Sequence, residues 1–319
     1  MVRYRQTLAL FTLTAQNTAL VLVTKHSYRE TATPYIVSTC VCCSEALKLL
    51  MSCVLILRLD GKAALSDAFS NVIPNGIGFA VPSFLYVIQN NLTFQGVRLL
   101  SPTVYVVLSQ AKILSSAFFS VTLLKRRISR LQHLALLLLV AGMILVHTAS
   151  HQPSLRTTAD STGKGVVFVL AAAITSGIAG TLLEKMYSNS NSDRSSIWVR
   201  NAQLACFSLP LAIFATYCTD RLQLRDGIFQ GYDAIVAIVI LLQALGGLAV
   251  AAVLRYAGNV MKCFAVSSSI CASAVLSSLL GQKLVLSTSG VIGTILVIAS
   301  TFLYSTNSPQ YCSHRDRRG

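Results

Sequence analysis

Two lysines sit inside apolar runs of this 319-residue chain: Lys112 in "VYVVLSQAKILSSAFF" (104–119) and Lys262 in "YAGNVMKCFAVSSS" (256–269). An ammonium group at the centre of a membrane-crossing helix costs about 2.5–3.5 kcal/mol even on the lenient insertion scale, so it belongs against a partner or a wet cavity. Neither lysine has a carboxylate at helical spacing within its own run. With helical periodicity, Lys112 shares a face with Ser101, Tyr105, Ser109, Ser116 and Phe119, while Val106, Ile113, Leu114, Ala117 and Val121 point elsewhere. Lys262 shares a face with Ser269, Ser273 and Ser277. A lysine bonded to helix carbonyls for packing accounts for either residue singly. The matched pair points to binding of an anion.

Other polar groups in apolar runs have competing readings. In "FLYVIQNNLTF" (84–94), Tyr86, Asn90 and Thr93 fall on one face with Gln89 at its margin, as ligands or as interhelical hydrogen bonds. The glycosylation sequon Asn91-Leu92-Thr93 lies inside a span and is discounted. "SGIAG" (176–180) brings Ser176, Gly177 and Gly180 together, either for close helix packing or to expose backbone to a ligand. Glu45 and Lys48 are three apart, the spacing of a local ion pair. Glu184 and Lys185 read as a snorkelling pair at the cytosolic boundary, with Arg200 placed to reach Glu184 as a gate latch. Gln110 faces away from Lys112 and reads as a helix-to-helix strut.

The elements that position these groups are membrane helices. The chain is 54% hydrophobic and 12% charged, about half the charge of a soluble domain. Taking about 20 apolar residues as one crossing, ten spans are expected: 7–25, 33–57, 72–97, 101–123, 131–149, 164–187, 196–218, 232–254, 260–281 and 284–305. The longest polar stretch separates a first five-helix half (1–150) from a second (164–306), with a lumenal connecting loop at 151–163 and a basic cytosolic tail at 307–319. Each half carries one lysine on its fourth helix. Because five is odd, the halves insert in opposite orientation, which places a substrate site at their midplane interface.

Clusters such as Lys125, Arg126, Arg127 and Arg130 put most positive charge on the side that holds both termini if these are cytosolic, in keeping with the positive-inside rule. The net charge of +15 is therefore read as topology rather than nucleic-acid binding. Arg3 and Arg5 precede a span without a convincing cleavage site, so the first span is expected to remain as an anchor. Eight of the nine cysteines lie in spans and read as small apolar residues, without a disulfide framework or zinc pattern. The five histidines are scattered and form no catalytic constellation, which argues against a membrane enzyme. A purely structural scaffold would not need two matched lysines.

Taken together, "VPSFLYVIQNNLTF" (81–94), "SPTVYVVLSQAKI" (101–113), "SGIAGTLLEK" (176–185), "SIWVRNAQL" (196–204) and "GGLAVAAVLRYAGNVMKCFA" (246–265) closely resemble the nucleotide-sugar transporters of the CMP-sialic acid, UDP-galactose and UDP-N-acetylglucosamine group. The resemblance implies an all-α integral membrane protein of the drug/metabolite transporter fold, with ten helices in two inverted five-helix repeats, in the Golgi or endoplasmic reticulum. It implies exchange of a cytosolic nucleotide sugar for nucleoside monophosphate, with membrane lipids as surroundings and no cofactor, metal or nucleic-acid partner; an oligomer is left open. By motif position Lys112 and Lys262 are the phosphate and nucleotide ligands, with Tyr86, Gln89, Asn90, Tyr105, Ser176, Gly177 and Asn201 lining the pocket. Glu45, Lys48, Glu184 and Arg200 are gate or structural residues. The sequence departs from relatives at "SQAK" for "YQLK", at Gly258 for the acid of "YADN", at Cys263 for a usual glycine, and at Ala205 where some have an aromatic residue. These departures bear on base and sugar preference. The expected cargo is UDP-galactose or UDP-N-acetylglucosamine, the alternatives being CMP-sialic acid or a phosphorylated metabolite exported by the same fold.

Overall fold

The computed structural model describes residues 2–30, 35–100, 102–148, 159–188, 196–221, 223–279 and 288–306. In chain order its helices are α1 (Val2–Glu30), α2 (Val37–Leu59), α3 (Gly61–Ser70), α4 (Val72–Gly76), α5 (Ala80–Leu99), α6 (Pro102–Ser109) and α7 (Ala111–Leu124). They continue with α8 (Arg130–Thr148), α9 (Ala159–Ser188), α10 (Ile197–Thr219), α11 (Ala234–Tyr256), α12 (Asn259–Leu279) and α13 (Thr288–Thr306). No strand occurs among the described residues. Among the described residues eight helical segments are long and apolar enough to cross a membrane, one of them running across the α6–α7 junction at Val107–Leu124.

The spans that fall short are the expected third and fifth. Residues 72–97 do not form one helix: Pro74, Gly76 and Gly78 divide the stretch into α4, a short 3-10 turn at 77–79, and α5, which starts with Pro82 in its first turn. In α8 the apolar stretch is Arg130–Val146, a little shorter than the rest. The expected fourth span is interrupted at Gln110, between α6 and α7. Of the expected connecting loop, residues 159–163 are already helical in α9, and the remainder lies outside the described residues, as do Ser101, the side chain of Ser277 and the tail at 307–319.

Helix ends are set by local chemistry. At the start of α8 the Ser129 Oγ accepts from the Gln132 N–H at 3.2 Å, and Gln132 Oε1 accepts from the Ser129 N–H at 2.9 Å, a reciprocal capping box. Ser196 caps α10 and Asp233 caps α11 by the same use of a side-chain oxygen. Lys125, in the left-handed region with φ 53°, ends α7.

The bundle is arranged inside-out relative to a soluble domain. Phe11, Leu137, Phe214, Ile298 and Phe302 are exposed, as suits side chains bathed in lipid. The interior joins α1, α7, α8, α11, α12 and α13 through Leu13, Ile113, Leu139, Met143, Val253, Phe264 and Val297. Between α8 and α13 the backbones touch: a Cβ on Gly142 would stand 2.8 Å from the Gly293 carbonyl oxygen, which is close packing by small residues.

Candidate functional site

Both lysines follow a break in the chain. Lys112 lies in the first turn of α7, immediately after Gln110, where the backbone switches to shorter-range bonds: the Gln110 N–H donates to the Val107 carbonyl at 3.2 Å and the Ile113 N–H to the Gln110 carbonyl at 2.9 Å. Lys262 lies in the first turn of α12, after Gly258, whose φ of +90° turns the chain out of α11. A left-handed backbone at that point favours glycine. Helices interrupted near the middle of a bundle are how transporters bring backbone and side-chain groups to a midplane site.

Lys112 and Lys262 are electrostatic neighbours, and both keep part of their surface accessible. Cys263 adjoins both lysines electrostatically, and its thiol donates to Ser116 Oγ at 3.6 Å, joining α12 to α7 one turn beyond Lys112. Tyr86, from α5, is a side-chain partner of Lys262. Among the described residues the ion pairs are Glu45–Lys48 and Arg126–Glu184, and neither Lys112 nor Lys262 belongs to one. Two lysines on the packed helices α7 and α12 therefore lie within electrostatic range of each other, and neither forms an ion pair.

The remaining expected ligands divide by how much hydrogen-bonding capacity they keep. Gln89 is half-buried on α5 and its Oε1 is buried without a hydrogen-bond partner. Asn90 is exposed on the same helix. Tyr105 on α6 and Ser176 on α9 are half-buried, and α5, α6 and α9 pack on one another beside α7. Asn201 is fully engaged in the protein: its Nδ2 donates to Ser52 Oγ at 3.0 Å and its Oδ1 accepts from the Tyr187 hydroxyl at 3.2 Å, tying α10 to α2 and α9. Gly177 is turned towards α7, where a Cβ would meet the side chain of Ser115 and stand 2.8 Å from its backbone carbon. That is helix packing, the first of its two readings.

The stripe of serines on α12 serves packing as well. Ser269 and Ser273 are buried, with hydroxyls turned back to Val266 and Ile270 on their own helix, and Thr18 of α1 donates to the Ser269 carbonyl at 3.3 Å. The Glu45–Lys48 pair forms at 2.5 Å as its spacing predicts, and Glu45 also accepts from Ser208 of α10. The Lys48 stem lies on Gly247 of α11, so α2, α10 and α11 meet at this pair. Gln110 is buried at the α6–α7 break.

Glu184 departs from the expectation of a snorkelling boundary group. It is fully buried whereas Lys185 beside it is exposed. Its Oε1 pairs with Arg126 Nη2 at 2.5 Å, and its Oε2 accepts from the Asn259 N–H at 2.8 Å. Arg200, the partner expected from sequence, is half-buried with Arg255 and Tyr187 as electrostatic neighbours. Sequence reasoning gave no site role to Arg126 or Asn259. Arg126 was grouped with the basic residues of the positive-inside count, and Asn259 carried a signal only through its place three residues before Lys262.

Residues 3–305 match the protein-family model described as "Nucleotide-sugar transporter". The chain is 37% identical over 310 residues to a UDP-N-acetylglucosamine transporter of Rattus norvegicus, covering 93% of this chain and 94% of the relative. It is 38% identical over 315 residues to a UDP-N-acetylglucosamine/UDP-N-acetylgalactosamine transporter of Caenorhabditis elegans, covering 93% and 92%. A UDP-galactose transporter of Schizosaccharomyces pombe is 36% identical over 313 residues, covering 93% and 87%. A protein of known crystal structure shares the fold with a TM-score of 0.70 at 14% identity, over 95% of this chain and 98% of the other.

Proposed function

The chain belongs to the nucleotide-sugar transporter family, and from that premise we propose that it is a Golgi antiporter exchanging a cytosolic UDP-sugar for lumenal UMP. In this reading both termini are cytosolic, and α5 and α8 complete ten spans in two inverted halves despite their shorter apolar stretches. The choice of a UDP-sugar, with galactose and N-acetylglucosamine foremost, rests on the names of the relatives. The reading is one of transport rather than catalysis.

The observation that carries it is the convergence of Lys112 and Lys262 at a place where both stay accessible and neither is ion-paired. A diphosphate-linked sugar bears about two negative charges, and a nucleoside monophosphate about 1.5 to 2 near neutral pH. Two ammonium groups balance either cargo. When the site is empty they repel each other in a medium of low dielectric, so the empty carrier passes poorly through the occluded state and the loaded carrier passes readily. Exchange, rather than net flux, follows. Tyr86, Gln89, Asn90, Tyr105 and Ser176 line the nucleotide part of the pocket, while Asn201 and Gly177 hold its walls.

Reconstituted vesicles provide the test. Loading them with UMP accelerates uptake of labelled UDP-N-acetylglucosamine or UDP-galactose on this reading; equal uptake into empty vesicles rejects exchange. Competition of labelled UMP binding by CMP and inorganic phosphate separates the alternatives. Displacement by CMP as effective as by UMP indicates a CMP-linked cargo, and displacement by phosphate alone indicates a metabolite exporter that ignores the base.

A further inference from the structure

Glu184 holds two groups with one carboxylate, although it lies fully inside the protein. One oxygen holds Arg126, from the segment joining α7 to α8, and the other holds the first backbone N–H of α12. A carboxylate at a helix N-terminus both satisfies an orphan donor and complements the helix dipole. Lys262, one turn along α12, lies within electrostatic reach of the same carboxylate without forming an ion pair with it. The N-terminus of the helix that carries Lys262 and the Arg126 ion pair thus meet at one acid.

The surroundings are shaped around that acid. Gly258 lies against it so closely that a Cβ would stand 2.6 Å from Glu184 Oε1 and 2.7 Å from Arg126 Nη1. On α9, one turn before Glu184, Gly180 lets the Asn259 side chain lie against the helix backbone. That amide is fully buried, and neither its Oδ1 nor its Nδ2 has a hydrogen-bond partner. Thr181 Oγ1 on α9 and Ser120 Oγ on α7 are buried and unsatisfied as well. Unmet buried polar groups oppose the arrangement that buries them, whereas the ion pair and the cap favour it. A closure balanced in this way opens and re-forms; a purely apolar one would stay shut.

We propose that Glu184 is a positioning residue for Lys262 and the coupling acid of a gate made with Arg126 and the first residue of α12. The proposal rests on the transport reading above and deepens it. While the site is empty, the Lys262 and Arg126 cations together hold the carboxylate in the closed arrangement. An anion seated at Lys262 offsets one of those cations, weakens the hold on Glu184, and lets α12 and Asn259 leave α9. Asn259 then regains hydrogen-bond partners. Empty carriers stay closed at this end and loaded carriers open, which gives exchange a second structural basis besides repulsion between the lysines.

The test compares full-length wild type with Arg126→Gln, Glu184→Gln, Glu184→Ala and Arg126→Lys in vesicles with and without internal UMP. Arg126→Gln and Glu184→Gln are expected to raise uptake into empty vesicles, so that the stimulation by internal UMP falls about fivefold or more, while the half-saturating UDP-sugar concentration changes little. Arg126→Lys restores the stimulation. Glu184→Ala, which also removes the cap, is expected to increase deuterium uptake by the backbone amide of Asn259 and weaken UMP binding about tenfold. UMP-dependent thermal stabilisation of each variant establishes that it is folded. Wild-type stimulation in Arg126→Gln, or wild-type amide protection in Glu184→Ala, overturns the gate. A wild type that neither binds UMP nor shows stimulation rejects the transport reading instead.

Discussion

Replacing Lys112 by Met removes a charge and keeps the apolar stem, so it separates the ammonium from its packing. In the empty protein Lys112 faces the like charge of Lys262 without an ion-pair partner of its own. At an effective dielectric of about 20, two unit charges repel by about 4 kcal/mol at a separation of about 4 Å and by proportionally less at longer range. Lys112→Met relieves that repulsion and is expected to raise the melting temperature of the ligand-free protein by a few degrees. Its effect on UMP has the opposite sign. Truncating one member of a buried charge contact costs about 2–5 kcal/mol, so UMP affinity falls about 30-fold to several thousand-fold. The assay is thermal unfolding in detergent with and without UMP, beside Gln110→Ala as a variant expected to leave the UMP response intact. UMP affinity retained within about threefold would remove Lys112 from the site. A lower melting temperature with intact binding would identify its ammonium as a structural group.

Three further outcomes follow from the geometry. Asn201→Ala strands Ser52 and Tyr187 and is expected to cost about 1–3 kcal/mol of stability with little change in UMP affinity; a selective loss of binding would return Asn201 to the pocket. Glu45→Gln leaves the buried Lys48 without its counter-charge and is expected to cost about 3–5 kcal/mol, measured by thermal unfolding, with the double variant Glu45→Leu/Lys48→Met recovering most of the loss. Gly258→Asp, which introduces the acid that the family resemblance expects at this position, puts a side chain where the backbone has φ +90° and Glu184 is 2.6 Å from the new Cβ. It is expected to lower the melting temperature and the stimulation by internal UMP; unchanged values would mean that the α11–α12 turn relaxes freely.

The fold was legible to the extent that it follows from apolar length. Runs such as 232–254 became single helices nearly end to end, because a continuous apolar stretch has one good solution in lipid. The break at Gln110 was not legible. Neither proline nor glycine marks it, and helical periodicity carried through it smoothly, placing Tyr105 and Lys112 on one uninterrupted face. Lys112 and Lys262 stood out in the sequence because charge in hydrocarbon is costly wherever it sits. The partner of Glu184 was not, since Arg126 and Arg200 are both cations near helix ends and only tertiary packing selects between them.

Polarity alone was also too coarse a guide to the site. Asn201, Ser269, Ser273, Glu45 and Lys48 are all polar groups in apolar helices, and each has its capacity taken up by a neighbouring residue or its own helix. Lys112 and Lys262 have charge to spare, and Gln89 and Asn259 have atoms to spare. The distinction has opposite consequences for substitution. A group with its partners satisfied loses stability when truncated, because it strands them; a group with capacity in hand loses function first. Gln89 and Asn201, both assigned to the pocket by motif position, fall on opposite sides of that line. Gln89→Ala is therefore expected to weaken UMP binding without lowering the melting temperature, the reverse of Asn201→Ala, and a common response of the two variants would refute the division.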